Sequence, residues 1–109
     1  NDNNSARDIF LRDTVSNVTT RVSTSSLSNN QSDAASGIAD ISGDGNYVVF
    51  QSLASNLSGG DTNGIIDIYR KTLSSNVTTR VTTSTAIDGE TNGESRNPSI
   101  SADGRYIVF

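Results

Sequence analysis

The chain repeats its own sequence at a constant spacing of 59 residues. Ser-Asn-Val-Thr-Thr-Arg-Val at residues 16–22 returns unchanged at residues 75–81. Ile-Ser-Gly-Asp-Gly-Asn-Tyr-Val-Val-Phe at residues 41–50 returns as Ile-Ser-Ala-Asp-Gly-Arg-Tyr-Ile-Val-Phe at residues 100–109. A fixed period of this length, kept through apolar and polar stretches alike, is typical of supersecondary units that bury their apolar faces against one another. The repeat therefore predicts a stack of similar units.

Composition limits what such units can do alone. With 109 residues, of which 32% are hydrophobic and 6% aromatic, the chain has little apolar surface from which to build a self-contained core. We therefore expect it to share core with further protein. A start without methionine agrees with a processed chain or a segment of a longer one.

Several classes of function are disfavoured by residue content. The chain has no cysteine and no histidine, which excludes disulfides, thiolate metal sites and imidazole chemistry. A net charge of −4 with scattered basic residues argues against a nucleic-acid partner. No apolar run approaches the roughly 20 residues that span a bilayer. The abundance of serine, threonine and asparagine is typical of exported β-proteins, so we expect a soluble, extracellular or periplasmic chain without a membrane span.

The apolar pattern predicts an all-β fold. Short runs rich in β-branched and aromatic residues alternate with Gly, Asn, Asp and Ser clusters, and no helical periodicity is sustained. The predicted strands are residues 7–13, 18–24, 37–42, 46–52, 66–72, 77–83, 98–101 and 105–109. Their apolar side chains are expected to pack as core, among them Ile9, Phe10, Val48, Phe50, Ile68, Tyr69, Val108 and Phe109. Four strands per repeat correspond to one blade of a β-propeller. A β-helix would need a shorter period, and an immunoglobulin-like sandwich would not repeat itself.

Turns and loops carry recognisable chemistry. Asp44 and Asp103 stand in the Gly-Asp-Gly and Ala-Asp-Gly turns, where they are expected to accept local backbone N–H bonds while the following glycine supplies a positive φ. The longer connections, residues 25–36 with their counterpart 84–95, and residues 53–63, are where function is expected if the chain carries one.

The last twelve residues, Pro-Ser-Ile-Ser-Ala-Asp-Gly-Arg-Tyr-Ile-Val-Phe at 98–109, resemble the Ser-x-Asp-Gly-x-x-Ile/Val-x-Phe core of TolB-like, WD-repeat-like (PD40-type) bacterial β-propellers. Residues 61–70 and 78–81 are similar to the second half of that repeat. The first unit departs from it, because Ile-Ala-Asp at 38–40 replaces Asn-Pro-Ser and Ser5 stands where the second unit has a glycine. The resemblance implies two four-stranded antiparallel blades.

Naming blade strands from the inside outward, as the resemblance implies, divides the chain unevenly. Residues 1–24 form the outer half of one blade, residues 25–83 a complete blade with its preceding loop, and residues 84–109 the inner half of the next. Exposed strand edges are an aggregation liability unless they are paired. One interpretation is that the inner half from one copy completes a blade with the outer half of the next, head to tail, as a ring or a filament. The other is that the halves are completed by the remainder of a longer repeat chain.

The most ligand-like motif is Asp-x-Asn-Gly-x-x-Asp. Its candidate Ca²⁺ ligands are Asp61, Asn63 and Asp67 in one unit and Asp2, Asn4 and Asp8 in the other. Alternating oxygen side chains around a tight turn are how a short loop holds Ca²⁺, which takes 6–8 oxygens. The alternative is an Asx-type turn in which the same side chains bond nearby backbone. Apart from this possible Ca²⁺, no cofactor is expected.

Without histidine, no serine is placed beside a recognisable base, and no carboxylate pair is spaced as in a glycosidase. We therefore predict a non-catalytic scaffold or interaction module that assembles with itself or with the remainder of a longer chain. The alternatives are a calcium-dependent or carbohydrate-binding surface propeller, with a glycan as partner, and the propeller part of a larger hydrolase or lyase.

Overall fold

The computed structural model describes residues 2–28, 30–83 and 91–109, and over these residues the chain is all-β and forms only antiparallel sheets. The eight strands are β1 (Phe10–Asp13), β2 (Val18–Arg21), β3 (Ser36–Ile41), β4 (Tyr47–Ser52), β5 (Asp67–Thr72), β6 (Val77–Arg80), β7 (Ser99–Ile100) and β8 (Ile107–Val108). Each lies on a predicted strand. No helix in the described residues is long and apolar enough to cross a membrane.

The strands form three sheets. β1 pairs with β2, the strands β3-β4-β5-β6 form one four-stranded sheet in that order, and β7 pairs with β8. β7 also lies against β3 and β4. No closed sheet is formed by the described residues, so the all-β antiparallel prediction is confirmed, while blade architecture and the boundaries at 24/25 and 83/84 stay predictions.

The four-stranded sheet follows from simple local rules. Residues 47–50 of β4 are all apolar or aromatic, as expected for a strand that is buried on both faces, and β4 pairs with β5 so that Phe50 lies opposite Tyr69. The turns before β2 and β6 each place an asparagine in the left-handed region, Asn17 and Asn76, both at φ 58°. Asparagine tolerates that conformation better than other residues with a Cβ atom, which explains why both repeats keep it.

The core lies between the β1–β2 hairpin and one face of the four-stranded sheet. It includes Val48, Phe50 and Tyr69 from the sheet, and the Phe50 and Tyr69 rings stack at 6.0 Å between centroids. Ala54 and Leu57, from the connection that follows β4, are also fully buried there. The residue 53–63 connection, predicted to be a functional loop, is therefore partly core. Of the connection at 84–95, residues 84–90 lie outside the described residues.

Part of the predicted core is exposed. Phe10, Val108 and Phe109 were expected to pack as strand core, but they are 49%, 67% and 57% exposed. Their counterparts in the other unit, including Tyr69 for Phe10 and Phe50 for Phe109, are completely buried. That prediction is wrong for these three side chains. Within the described residues β1 pairs only with β2 and β8 only with β7, whereas β5 and β4, which carry the buried counterparts, are paired on both edges.

Candidate functional site

Asp61 lies in a buried polar cluster beside the core. Its residue is 8% exposed, and its Oδ2 accepts a short hydrogen bond from the Tyr69 hydroxyl. Its Oδ1 is 3.9 Å from Nη1 of Arg80. Burial, then the hydrogen bond to Asp61, raises the pKa of Tyr69 far above its ordinary value, so this phenol stays protonated as a donor.

Asp67, at the start of β5, shares the same guanidinium. Its Oδ1 accepts a hydrogen bond of 2.6 Å from Oγ1 of Thr82, and its Oδ2 is 3.7 Å from Nη1 of Arg80. Thr82 Oγ1 in turn accepts from the backbone N–H of Ile68 at 3.1 Å. Two buried carboxylates therefore face one arginine, which supplies the positive charge that burial of carboxylates requires.

The first unit builds the same arrangement around Asp8. Its Oδ1 accepts hydrogen bonds from Ser23 Oγ at 2.5 Å and Ser32 Oγ at 2.9 Å, and its Oδ2 is 3.6 Å from Nη1 of Arg21. The backbone N–H of Ile9 donates to Ser23 Oγ at 3.1 Å, as Ile68 does to Thr82 in the second unit. Each repeat thus contains the same network, hereafter the Asp–Arg circuit: an aspartate that pairs with an arginine and accepts a hydrogen bond from a hydroxyl group, which are Asp8, Arg21 and Ser23 in the first unit and Asp67, Arg80 and Thr82 in the second.

Asn4 and Asn63 serve as turn residues in both units. Asn63 Oδ1 accepts from the backbone N–H of Ile65 at 3.2 Å, and its Nδ2 donates to the Thr91 carbonyl at 3.2 Å. Asn4 makes the matching bonds, from Ala6 at 3.0 Å and to the Ser32 carbonyl at 2.8 Å. The next position in each turn is left-handed, with φ 57° at Ser5 and 67° at Gly64, which explains how serine replaces glycine there without changing the turn.

The six proposed calcium ligands are therefore placed as follows. Asp61 and Asp67 both form ion pairs with Arg80, and Asp8 forms one with Arg21. The side-chain oxygens of Asn4 and Asn63 accept hydrogen bonds from backbone N–H groups, as in the Asx-turn alternative. Asp2 is exposed, unlike its counterpart Asp61. Within the described ranges, no group of three or more His, Cys, Asp or Glu side chains is arranged to hold a metal ion. The Ca²⁺ site stays a prediction, and the contacts that these residues make in the structure are ion pairs with arginine and hydrogen bonds within the protein.

The two Asp-Gly turns behave as predicted. Asp44 Oδ1 accepts from Ser42 Oγ at 2.6 Å and from the Asn46 backbone N–H at 3.0 Å. Asp103 accepts from Ser101 Oγ at 2.6 Å and from the backbone N–H of residue 105 at 3.1 Å. These bonds, led in each case by the one from serine, lower the pKa of both carboxyl groups, so both act as charged turn caps.

The two units contact each other through these turns. The backbone N–H of Asp44 donates to the Ala102 carbonyl at 3.0 Å, and a Cβ built on Gly104 would lie 2.1 Å from Cδ2 of Tyr47. Gly104, with φ 73°, thus packs directly under the Tyr47 ring. Its counterpart Gly45, with φ 71°, has no atom within 4 Å of such a Cβ. The same turn is covered in one unit and open in the other.

Asp40 strengthens this contact, and sequence reasoning missed it. Its Oδ2 accepts from Ser99 Oγ at 2.9 Å and from the Ile100 backbone N–H at 3.1 Å. These two bonds, the one from Ile100 first, lower the pKa of Asp40. The sequence offered one indication of this role: Asp40 stands where the second unit has Ser99, so the two repeats differ at this position.

A buried lysine joins the outer strands of the two units. Nζ of Lys71 donates to Thr24 Oγ1 at 2.7 Å and to Thr78 Oγ1 at 3.2 Å, and Thr78 Oγ1 donates to the Thr24 carbonyl at 2.8 Å. Lys71 is only 1% exposed, and this burial lowers its pKa to about 8. Its counterpart in the first unit, Arg12, is exposed and bonds Thr19 within its own hairpin.

Two concave surfaces in the described part of the chain bear on a binding role. A mostly apolar groove of about 240 Å³ separates β1 from the β3–β4 hairpin. It is lined by Asp40 and by the apolar residues Ile9, Phe10, Leu11, Val22, Ala39, Ile41 and Val48. A wider polar cleft of about 660 Å³ lies beside β2, with Asn3, Arg21, Gln31 and Asn76 in its walls. Amide and hydroxyl groups in that cleft are compatible with a sugar, and the carbohydrate-binding alternative stays a prediction.

Comparison of the chain with protein-family models, with curated proteins and with solved structures found no significant match in any of the three.

Proposed function

We propose that this chain is a non-catalytic β-propeller scaffold module of an exported protein, which assembles head to tail by completing its two-stranded sheets with strands of a neighbouring copy. The observation that carries the proposal is the contrast between equivalent residues. Phe50 is fully buried whereas Phe109 is 57% exposed, and Tyr69 is fully buried whereas Phe10 is 49% exposed. Phe10 lies in β1 and Phe109 directly follows β8, whereas their counterparts Tyr69 and Phe50 lie in β5 and β4, which are paired on both edges inside the four-stranded sheet.

The two units are alike enough for this contrast to be meaningful. The ion pair between Arg21 and Asp8 measures 3.6 Å, and its counterpart between Arg80 and Asp67 measures 3.7 Å. The Asx turns and the Asp-Gly turns also repeat bond for bond. An interface that one unit makes with the next inside the chain is therefore available, with nearly the same chemistry, between chains.

The free edges have the surface that strand addition needs. Among the residues that the structure describes, β1 pairs only with β2, and β8 pairs only with β7. β8 and the residues flanking it expose Tyr106, Val108 and Phe109 together. Unpaired N–H and C=O groups beside exposed apolar side chains are the usual requirements for adding a further strand.

The acidic residues support a structural role. Asp8 and Asp67 neutralise buried arginines, and Asp44 and Asp103 cap turns with lowered pKa values. General acid catalysis near neutral pH calls for a carboxyl group with a raised pKa. The hydrogen bonds to Asp44 and Asp103 act in the opposite direction and lower the pKa of both carboxyl groups.

Light scattering over a dilution series tests the proposal. We expect the wild-type chain to form particles larger than a monomer that dissociate on dilution. Val108→Lys places a charge on the edge strand and should leave a folded monomer at concentrations where the wild type is assembled. Leu27→Lys is the matched control, because Leu27 is 78% exposed and lies away from both edge strands. A folded wild-type monomer at every concentration, or equal assembly of the Val108→Lys variant, would contradict the proposal.

A further inference from the structure

We propose that the partner at the open edge is a second molecule of this chain, whose β8 pairs antiparallel with β1 in one register. Val108 of that molecule lies opposite Leu11, Phe109 lies opposite Phe10, and Tyr106 covers Gly45. This inference rests on the proposed function and adds to it the identity, register and contacts of the partner.

The register follows from the pairing already present between the units. In the four-stranded sheet, Val49 is opposite Arg70 and Phe50 is opposite Tyr69. Moving residues 47–50 of β4 forward by one period of 59 residues gives residues 106–109, and moving β5 (67–72) back by one period gives residues 8–13, which include β1. The same pairing then sets Val108 opposite Leu11.

The groove between β1 and β3–β4 has a shape and polarity that accept this strand. Residues directly opposite in an antiparallel pair project to the same face, so Val108 would project on the side of Leu11. Leu11 lines the groove together with Ile9, Ile41 and Val48. An apolar groove of about 240 Å³ is adequate for one aliphatic side chain and the edge of its strand.

On the opposite face, Phe109 would repeat the aromatic contact of the core. Phe50 and Tyr69 are paired residues whose rings stack at 6.0 Å with an interplanar angle of 25°. Phe109 and Phe10 occupy the equivalent places and are both about half exposed in the single chain. Pairing would remove both rings from water at the same time, which favours this register over one shifted by a residue.

The turns supply a second, independent contact. Inside the chain the Tyr47 ring covers Gly104, which leaves no room for a Cβ. One period away, Tyr106 is 60% exposed, and Gly45 has open space above it. A molecule added by the internal repeat relation brings Tyr106 over Gly45, so the exposed ring and the uncovered glycine are the two halves of one contact.

Cross-linking between single-cysteine variants tests the register, since the natural chain has no cysteine. Leu11→Cys is mixed with an equal amount of mass-tagged Val108→Cys under mild oxidation. Paired residues lie within the Cα separation of about 4.4–6.8 Å that a disulfide requires. The control replaces Leu11→Cys with Asp13→Cys, which is two residues along β1 and about 7–8 Å from the Val108 position in this register.

We expect mixed disulfide dimers from the 11/108 pair in at least about tenfold excess over the 13/108 pair. We also expect Tyr106→Ala to weaken association about tenfold or more without lowering the melting temperature of the dispersed chain. Assembly by light scattering with cross-linking mainly at 13/108 would overturn this register and leave self-assembly standing. A monomer in both experiments would overturn this inference together with the proposed function.

Discussion

The hairpins β1–β2 and β5–β6 occupy equivalent positions in the two repeats but have different surroundings. Val-Thr-Thr-Arg forms the second strand of both. In each hairpin the arginine pairs with the aspartate that precedes the first strand or begins it, Arg21 with Asp8 at 3.6 Å and Arg80 with Asp67 at 3.7 Å. Yet Tyr69 in β5 is completely buried and Phe10 in β1 is 49% exposed. β5 has β4 beside it, whereas β1 pairs only with β2 in the part of the chain that the structure describes. Local structure in this chain is therefore encoded within a unit, whereas burial depends on the unit's neighbours.

The largest expected effect compares Phe50 with Phe109, which occupy equivalent positions. Phe50→Ala removes a fully buried ring and should lower the free energy of unfolding by about 3–5 kcal/mol. Phe109→Ala removes a ring that is 57% exposed and should cost less than about 1 kcal/mol in the dispersed chain. Urea unfolding at low concentration, followed by circular dichroism, measures both. Equal losses would mean that the two positions do not differ in solution as they do here.

A second comparison concerns the two arginines. Arg80→Gln leaves Asp61 and Asp67 without their shared counter-charge and should cost about 3–5 kcal/mol. Arg21→Gln should cost about 1–2 kcal/mol, because Asp8 keeps hydrogen bonds from two serines and an asparagine. The same unfolding measurement ranks the two variants. A larger loss for Arg21→Gln would show that the first unit depends on its circuit more than its contacts indicate.

The third comparison concerns the two glycine turns, at Gly45 and Gly104, where alanine would lower stability in both cases through its positive φ. Gly45→Ala and Gly104→Ala both force a residue with a Cβ into positive φ, at about 1–2 kcal/mol each. Only Gly104→Ala also drives that Cβ into the Tyr47 ring, which should add about 1–3 kcal/mol. Thermal unfolding of the dispersed variants measures the difference. Similar melting temperatures for the two would show that the Tyr47 ring moves aside freely.

The smallest expected effect is the pH dependence that Lys71 introduces. Since burial lowers its pKa to about 8 from 10.5, the folded chain loses this proton before the unfolded chain does. Stability should therefore rise between pH 8 and 10.5, at roughly 1 kcal/mol for each pH unit or less. The raised pKa of Tyr69 has the opposite effect above pH 10, because the unfolded phenol then ionises first.

Urea unfolding between pH 8 and 10 measures the Lys71 effect. Lys71→Met is the variant to compare, because it keeps the length of the buried stem and removes the titrating amine. We expect its stability to be flatter over this range than that of the wild type. A wild-type curve with no rise would show that the amine is hydrated in the folded chain.

Much of the fold was predictable because its signals are local. Alternating apolar residues located all eight strands, and the Asp-Gly turns identified the tight connections before β4 and β8. The ends of strands were less predictable. Strands β7 and β8 have only two residues each, although residues 98–101 and 105–109 were predicted as strands.

The site was harder to predict, for a physical reason. The spacing of Asp61, Asn63 and Asp67 is shared by cation loops and Asx turns, and only three-dimensional contacts show that Arg80 faces both carboxylates. Asp40 and Lys71 act across the boundary between units, where no sequence spacing reports proximity. Recurrence of Asp and Arg at the same offset in both units was the one available signal for the circuit.

Concentration-dependent hydrogen exchange of the backbone amides tests the central claim most directly, because it reports on the open edges themselves. Amides of β5 are paired within the chain on both sides and serve as the internal reference. We predict that the outward-facing amides of β1 and β8 exchange quickly in dilute solution and become protected together as concentration rises, while protection of β5 stays constant. Edge amides whose exchange does not change with concentration, in a chain that remains folded, would contradict the account.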